Sequence, residues 1–185
     1  MDDADLGAAL VAHAYLEGDF VLRSGRRSRY YLDKYRFETQ PDVLRPLGER
    51  LAAAVEELEP EATRLACPVV GAVALAASAS LASGLSFVIV RDAAKDYGTA
   101  NRVEGAYEAG DRVCLVEDIV TSGGALTEAV AALREAGLEC RTAVCVVDRE
   151  EGGVDALARL GVRLEPLFRA SELLESPKSA ANPHG

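Results

Sequence analysis

An α/β domain with a doubly wound parallel sheet is predicted by three features of the 185-residue sequence. Short apolar runs rich in β-branched residues recur at Leu65 to Pro68, Ser86 to Val90, Val113 to Val116 and Ala143 to Val147. Helix-length, alanine-rich segments lie at Gly71 to Ser83 and Gly124 to Ala136. The N-terminal third follows a different pattern. Runs without polar alternation belong to strands covered on both faces, and strands alternating with helices imply βαβ units.

In that N-terminal third, Leu6, Leu10 and Val11 space a helix over Asp5 to Ala14. Alternation then predicts strands at Asp19 to Arg23 and Ser28 to Asp33, joined through Ser24-Gly25. A further helix runs from Pro41 to Leu58, with proline at its start and Leu44, Leu47, Leu51, Ala54, Val55 and Leu58 on one face. The expected organisation is a single domain over residues 1–175, in which residues 1–62 supply an N-terminal helix and hairpin hood to a core at 63–175. Residues 176–185, with Pro177, Ser179, Asn182 and Pro183, read as a disordered tail.

The net charge of -10 and pI near 4.7 argue against a nucleic-acid binder, which needs a basic face, yet allow a small anionic substrate at a locally basic site. No long apolar run predicts a membrane span, and the acidic start Met1-Asp2-Asp3 is unlike a signal peptide, so a soluble, cytoplasmic protein is expected. Cys67, Cys114, Cys140 and Cys145 lack the paired spacing of a zinc site and read as buried thiols. His13 and His184 are the only histidines, which leaves little room for a histidine-based dyad or metal cluster.

The most informative segment runs from Val113 to Leu126. A buried strand is expected to end in Glu117 and Asp118, followed by Thr121, Ser122, Gly123 and Gly124 opening a helix. Backbone N–H groups of Thr121 to Ala125 can cradle a phosphate, which the positive end of the helix dipole favours. The two carboxylates can accept hydrogen bonds from sugar hydroxyls, or stand near a hydrated divalent cation. An ordinary capped strand, turn and helix uses the same residue types.

The whole string resembles the phosphoribosyl pyrophosphate (PRPP) signature of the type I phosphoribosyltransferases. From about Gly18 to Leu174 the chain is similar to the orotate phosphoribosyltransferases within them. Three segments carry that likeness: Leu22 to Asp33, a hood motif; Val90 to Gly105, a polar segment like the family's catalytic loop; and Val146 to Gly153, containing Asp148-Arg149. The resemblance implies transfer of the phosphoribosyl group of PRPP to orotate, giving orotidine monophosphate and pyrophosphate in pyrimidine biosynthesis. It implies PRPP contacts at Arg91, Lys95, Glu117, Asp118, Ile119, Val120, Thr121, Ser122, Gly123, Gly124 and Ala125, with Lys95 and Asp118 catalytic. Arg23, Tyr31, Leu32 and Thr121 would lie about the base, and Arg149 would grip its carboxylate through the guanidinium fork. Mg2+ would come with the donor rather than on a protein metal site, and a homodimer would share its active sites through Lys95.

The chain departs from the family pattern in two places. Val69 and Val70 are apolar where its pyrophosphate loop often carries a polar or charged residue, and Asp92 follows Arg91 where a lysine is typical. Both changes withdraw favourable charge from a pyrophosphate. Three other readings stay open on sequence: transfer to a different base, a PRPP-binding regulatory homologue, or an unrelated α/β nucleotide binder. The last lacks both a P-loop and a Gly-x-Gly-x-x-Gly turn.

Overall fold

The computed structural model describes residues 1–21, 25, 27–92 and 101–175. Helix α1 (Asp3–Ala14) is capped by Asp2, whose carboxylate accepts the Asp5 N–H at 2.8 Å, and passes directly into strand β1 (Tyr15–Val21). Strand β2 (Arg27–Leu32) returns antiparallel to it, pairing Tyr15 with Leu32 and Val21 with Arg27. The hairpin thus begins four residues earlier than the alternation alone indicates. A short helix α2 (Lys34–Glu38), capped by Asp33, was not foreseen, and α3 (Pro41–Leu58) has the expected bounds.

The core follows as β3 (Arg64–Pro68), α4 (Ala72–Ser83), β4 (Ser86–Val90), β5 (Val103–Glu104), β6 (Arg112–Val120), α5 (Gly124–Glu135), β7 (Glu139–Asp148), α6 (Gly153–Ala158), β8 (Arg163–Arg169) and α7 (Ala170–Glu175). Sheet order is β5-β4-β3-β6-β7-β8, parallel throughout except for the two-residue edge strand β5. Strand β8 also lay outside the expectation. It is an edge strand containing Pro166, a residue that fits the middle of an edge strand but not the middle of a central one.

Strand periodicity sends alternate side chains to opposite faces. Leu65, Cys67, Cys114, Val116, Val144 and Val146 meet Leu47, Leu51, Val55 and Leu75 of α3 and α4, together with Leu6 and Leu10 of α1. Ala66, Val113, Leu115, Ala143 and Cys145 meet Leu126, Val130 and Leu133 of α5 and Leu157 of α6. The result is a sheet covered on both faces, with each fully buried leucine contributing about 2 kcal/mol. All parallel strands end on the same side, and the chain winds outward in opposite directions from β3 and β6. The crevice between those strand ends is where such folds bind ligands.

Candidate active site

Glu117 and Asp118 stand at this switch point. They lie within β6 rather than at its end, because the strand continues to Val120, and they are buried at 7% and 2% exposure. Each carboxylate caps the next backbone N–H: Glu117 Oε1 accepts from Asp118 at 3.0 Å, and Asp118 Oδ1 accepts from Ile119. Asp118 also has a partner far away in the sequence. Its Oδ2 accepts from Lys34 Nζ at 2.7 Å, across 84 residues of sequence. A buried carboxylate needs such compensation, since an unpaired charge away from water is costly.

Lys34 and Glu38 stand one turn apart on α2, on the same helix face. Glu38 is 3% exposed, and among the described residues its Oε1 has no hydrogen-bond partner. Burial, followed by the negative charge of Asp118, raises its pKa to about 8, so the carboxyl is mostly protonated at neutral pH. Burial and Asp118 likewise push Glu117 well above the usual carboxylate range. The cluster therefore sets the Asp118–Lys34 pair beside two carboxyls that burial pushes up. Over this pair passes the turn that follows β3. A side chain at Gly71 would run into Asp118 Oδ2 and Lys34 Nζ, so only glycine lets the backbone approach so closely.

Beyond Val120 the chain turns through Thr121 and Ser122, both exposed, to Gly123 at φ +79°. That left-handed residue caps α5, whose first residues, Gly124 and Ala125, are exposed with their N–H groups at the helix start. Gly153 supports the turn from below, where a Cβ would strike Val120 and the Thr121 carbonyl. Ile119 is half-buried and Val120 buried, so these two shape the strand and present only backbone to a ligand.

The neighbouring strand end carries Arg149, whose N–H donates to the Val120 carbonyl at 2.8 Å. Its side chain is only 11% exposed, lies 3.2 Å from Glu151 and faces the Tyr30 ring at 5.6 Å, and among the described residues its Nε has no hydrogen-bond partner. Tyr30 in turn stacks on Tyr15 at 5.9 Å, a diagonal pair on the hairpin. Tyr31 points to the other face of β2, is 41% exposed and packs on Phe20, so the aromatic that meets Arg149 is Tyr30. Leu32 belongs to the core. Behind Arg149, Asp148 accepts the Glu150 N–H, and Glu150, at φ +60°, accepts the Ser171 N–H at 2.9 Å.

Arg91 follows β4 and lies 3.6 Å from Glu104 of β5, while Asp92 is exposed. Arg102 Nε donates to the Arg91 carbonyl at 3.3 Å. Arg23 and Lys95 lie outside the described residues. A hollow of about 440 Å³ between α3 and the α4–β4 turn opens at the amino ends of the strands, away from all these groups.

Comparison with known proteins agrees with this geometry. A family model described as phosphoribosyl transferase domain matches residues 36–159. The chain is 49% identical over 158 residues to an orotate phosphoribosyltransferase of Methanocella arvoryzae, covering 85% of this chain and 88% of that protein. It is 46% identical over 173 residues to the Halobacterium salinarum protein of the same name, covering 93% and 97%. Among solved structures, orotate phosphoribosyltransferase from Aeropyrum pernix superposes with a TM-score of 0.82 at 33% identity, covering 92% of this chain and 96% of that one.

Proposed function

The chain belongs to the phosphoribosyltransferase family, and on that premise we propose that it is an orotate phosphoribosyltransferase, joining orotate to the phosphoribosyl group of PRPP and releasing pyrophosphate. The observation that carries the assignment is the pairing of two adjacent strand ends. The phosphate turn at Thr121 to Ala125 and the backbone of Arg149 are tied together through the Val120 carbonyl, which accepts the Arg149 N–H. One end suits a sugar phosphate, the other a planar base that bears a carboxylate.

In the reaction, a ring nitrogen of orotate forms a bond to the anomeric carbon while the bond from that carbon to pyrophosphate breaks. Positive charge builds on the ribose and negative charge on the leaving group, so holding the parts in line and matching those charges is the enzyme's main task. Backbone N–H groups from Thr121 to Ala125 anchor the 5-phosphate. Asp118 and Glu117 face the ribose hydroxyls and the developing positive charge. Arg149, facing the Tyr30 ring, orients the base, with Arg23 and Thr121 about its rim. Charge on the departing pyrophosphate is offset by Arg91, by Lys95 and by the magnesium that the donor carries. That metal is read as part of the substrate, carried on the phosphates of the donor.

We further read a homodimer in which Lys95 serves the neighbouring site, and a cytoplasmic location; no described helix is long and apolar enough to cross a membrane. Mixing PRPP, magnesium and orotate with the protein should yield orotidine monophosphate, and Asp118→Asn should lose donor affinity while keeping its fold. Absence of product from the wild-type protein refutes the assignment. Lys95→Ala chains mixed with Asp118→Asn chains should regain part of the activity through hybrid dimers, whereas no rescue argues against shared sites.

A further inference from the structure

The departures at Val69, Val70 and Asp92 leave the pyrophosphate side of the site short of positive charge. The structure supplies a cation from elsewhere in the chain. Lys34 is rooted on α2 in the hood, held there by the Asp33 cap, which accepts the Tyr35 N–H at 3.2 Å. Its ammonium lies 2.7 Å from Asp118 Oδ2 and directly beneath the Gly71 backbone, so closely that a side chain at Gly71 would strike it. The Lys34 side chain is 32% exposed against 4% for Asp118, so the lysine keeps some access to solvent while its partner is buried. Burial works against its charge, but the hydrogen bond and charge of Asp118 outweigh this and keep Lys34 protonated.

We propose that Lys34 is a donor-binding residue whose ammonium contacts the pyrophosphate of PRPP at the Gly71 turn, replacing charge that Val69, Val70 and Asp92 withhold. The proposal rests on the donor site assigned above. On donor binding the ammonium bridges Asp118 and a pyrophosphate oxygen, coupling the ribose-side carboxylate to the leaving group. A lysine can do this because its three N–H donors serve several acceptors at once.

Calorimetry on the full-length protein distinguishes this role from mere support of Asp118. Lys34→Gln and Lys34→Arg are titrated with PRPP, with inorganic pyrophosphate and with orotidine monophosphate, the first two as magnesium salts, and thermal melts are recorded alongside. Lys34→Gln should weaken PRPP and pyrophosphate by about 10-fold or more, as expected for loss of a charge-assisted hydrogen bond, and leave orotidine monophosphate within about 2-fold. Lys34→Arg, which keeps the charge, should retain pyrophosphate within about 3-fold of wild type. Equal loss of all three ligands, or loss of none, overturns the proposal, as does an Arg variant that folds yet binds pyrophosphate no better than Gln. If orotidine monophosphate binding is indifferent to Arg149→Gln, the underlying site assignment fails, and the proposal with it.

Discussion

Glu38→Gln should make the protein more stable at pH 8 while changing little at pH 5. The native carboxyl is buried beside Asp118 and titrates near 8 instead of its ordinary 4.5. The charged groups facing it are Asp118 from β6, Lys34 on its own helix and Asp33 just before that helix. Below pH 4.5 the group holds its proton in folded and unfolded chains alike and has no effect on the balance between them. As pH rises from 4.5 to about 8, the unfolded chain releases the proton and the native chain keeps it, so stability falls across that window and levels off above it. Linkage sets a ceiling of about 5 kcal/mol, and relaxation around Lys34 should reduce the effect to about 2 kcal/mol. Glutamine approximates the protonated acid in shape, offers an N–H toward Asp118 and a carbonyl acceptor, and cannot ionise. Denaturant melts at pH 5, 6, 7, 8 and 9 would show the variant pulling ahead of wild type between pH 5 and 8. Parallel stability curves for the two proteins would mean that Glu38 is ionised in the native state and the cluster is wrongly described.

Other outcomes follow from the same geometry. Arg149→Lys keeps a positive charge but loses the fork and the contact with Tyr30 at 5.6 Å; the Michaelis constant for orotate should rise about 30-fold, near the low end for disrupting a buried charged contact, while that for PRPP changes little. Equal effects on both substrates would remove Arg149 from the base. Gly71→Ala should lower stability by about 1–3 kcal/mol through overlap with Asp118 and Lys34 and should weaken donor binding; a variant with wild-type melting and affinity contradicts the close approach. Asp92→Lys should lower the Michaelis constant for PRPP, by no more than about 1 kcal/mol given its exposure, with the gain shrinking as salt is raised. An unchanged constant places Asp92 away from the pyrophosphate.

The parallel core could be read from the chain because its strands and long helices carry strong, uninterrupted apolar patterns, and α3 and β4 match their expected bounds. Elements of five or six residues, such as α2, α6 and α7, are too short to show helical periodicity. The position of β6 relative to its acidic pair was missed for a related reason. Two carboxylates look like a strand's exit, and only the distant Lys34 makes one of them tolerable inside it. That pairing spans 84 residues and leaves no local trace beyond a lysine in an arginine-rich chain and its one-turn spacing to Glu38. Choosing Tyr31 over Tyr30 was a choice of face, which alternation in a short hairpin does not decide until its register is known. Roles for Arg23 and Lys95 rest on the sequence resemblance alone.

The central claim is that one crevice holds PRPP by the Thr121 to Ala125 turn and selects a carboxylate-bearing base through Arg149. Initial rates of pyrophosphate release with PRPP, magnesium and a panel of orotate, uracil, adenine, guanine and hypoxanthine test it directly. Turnover with orotate, falling by at least about 100-fold for uracil, which has the same ring without the carboxylate, is the expected result. Comparable rates with uracil, or a preference for a purine, would contradict the account.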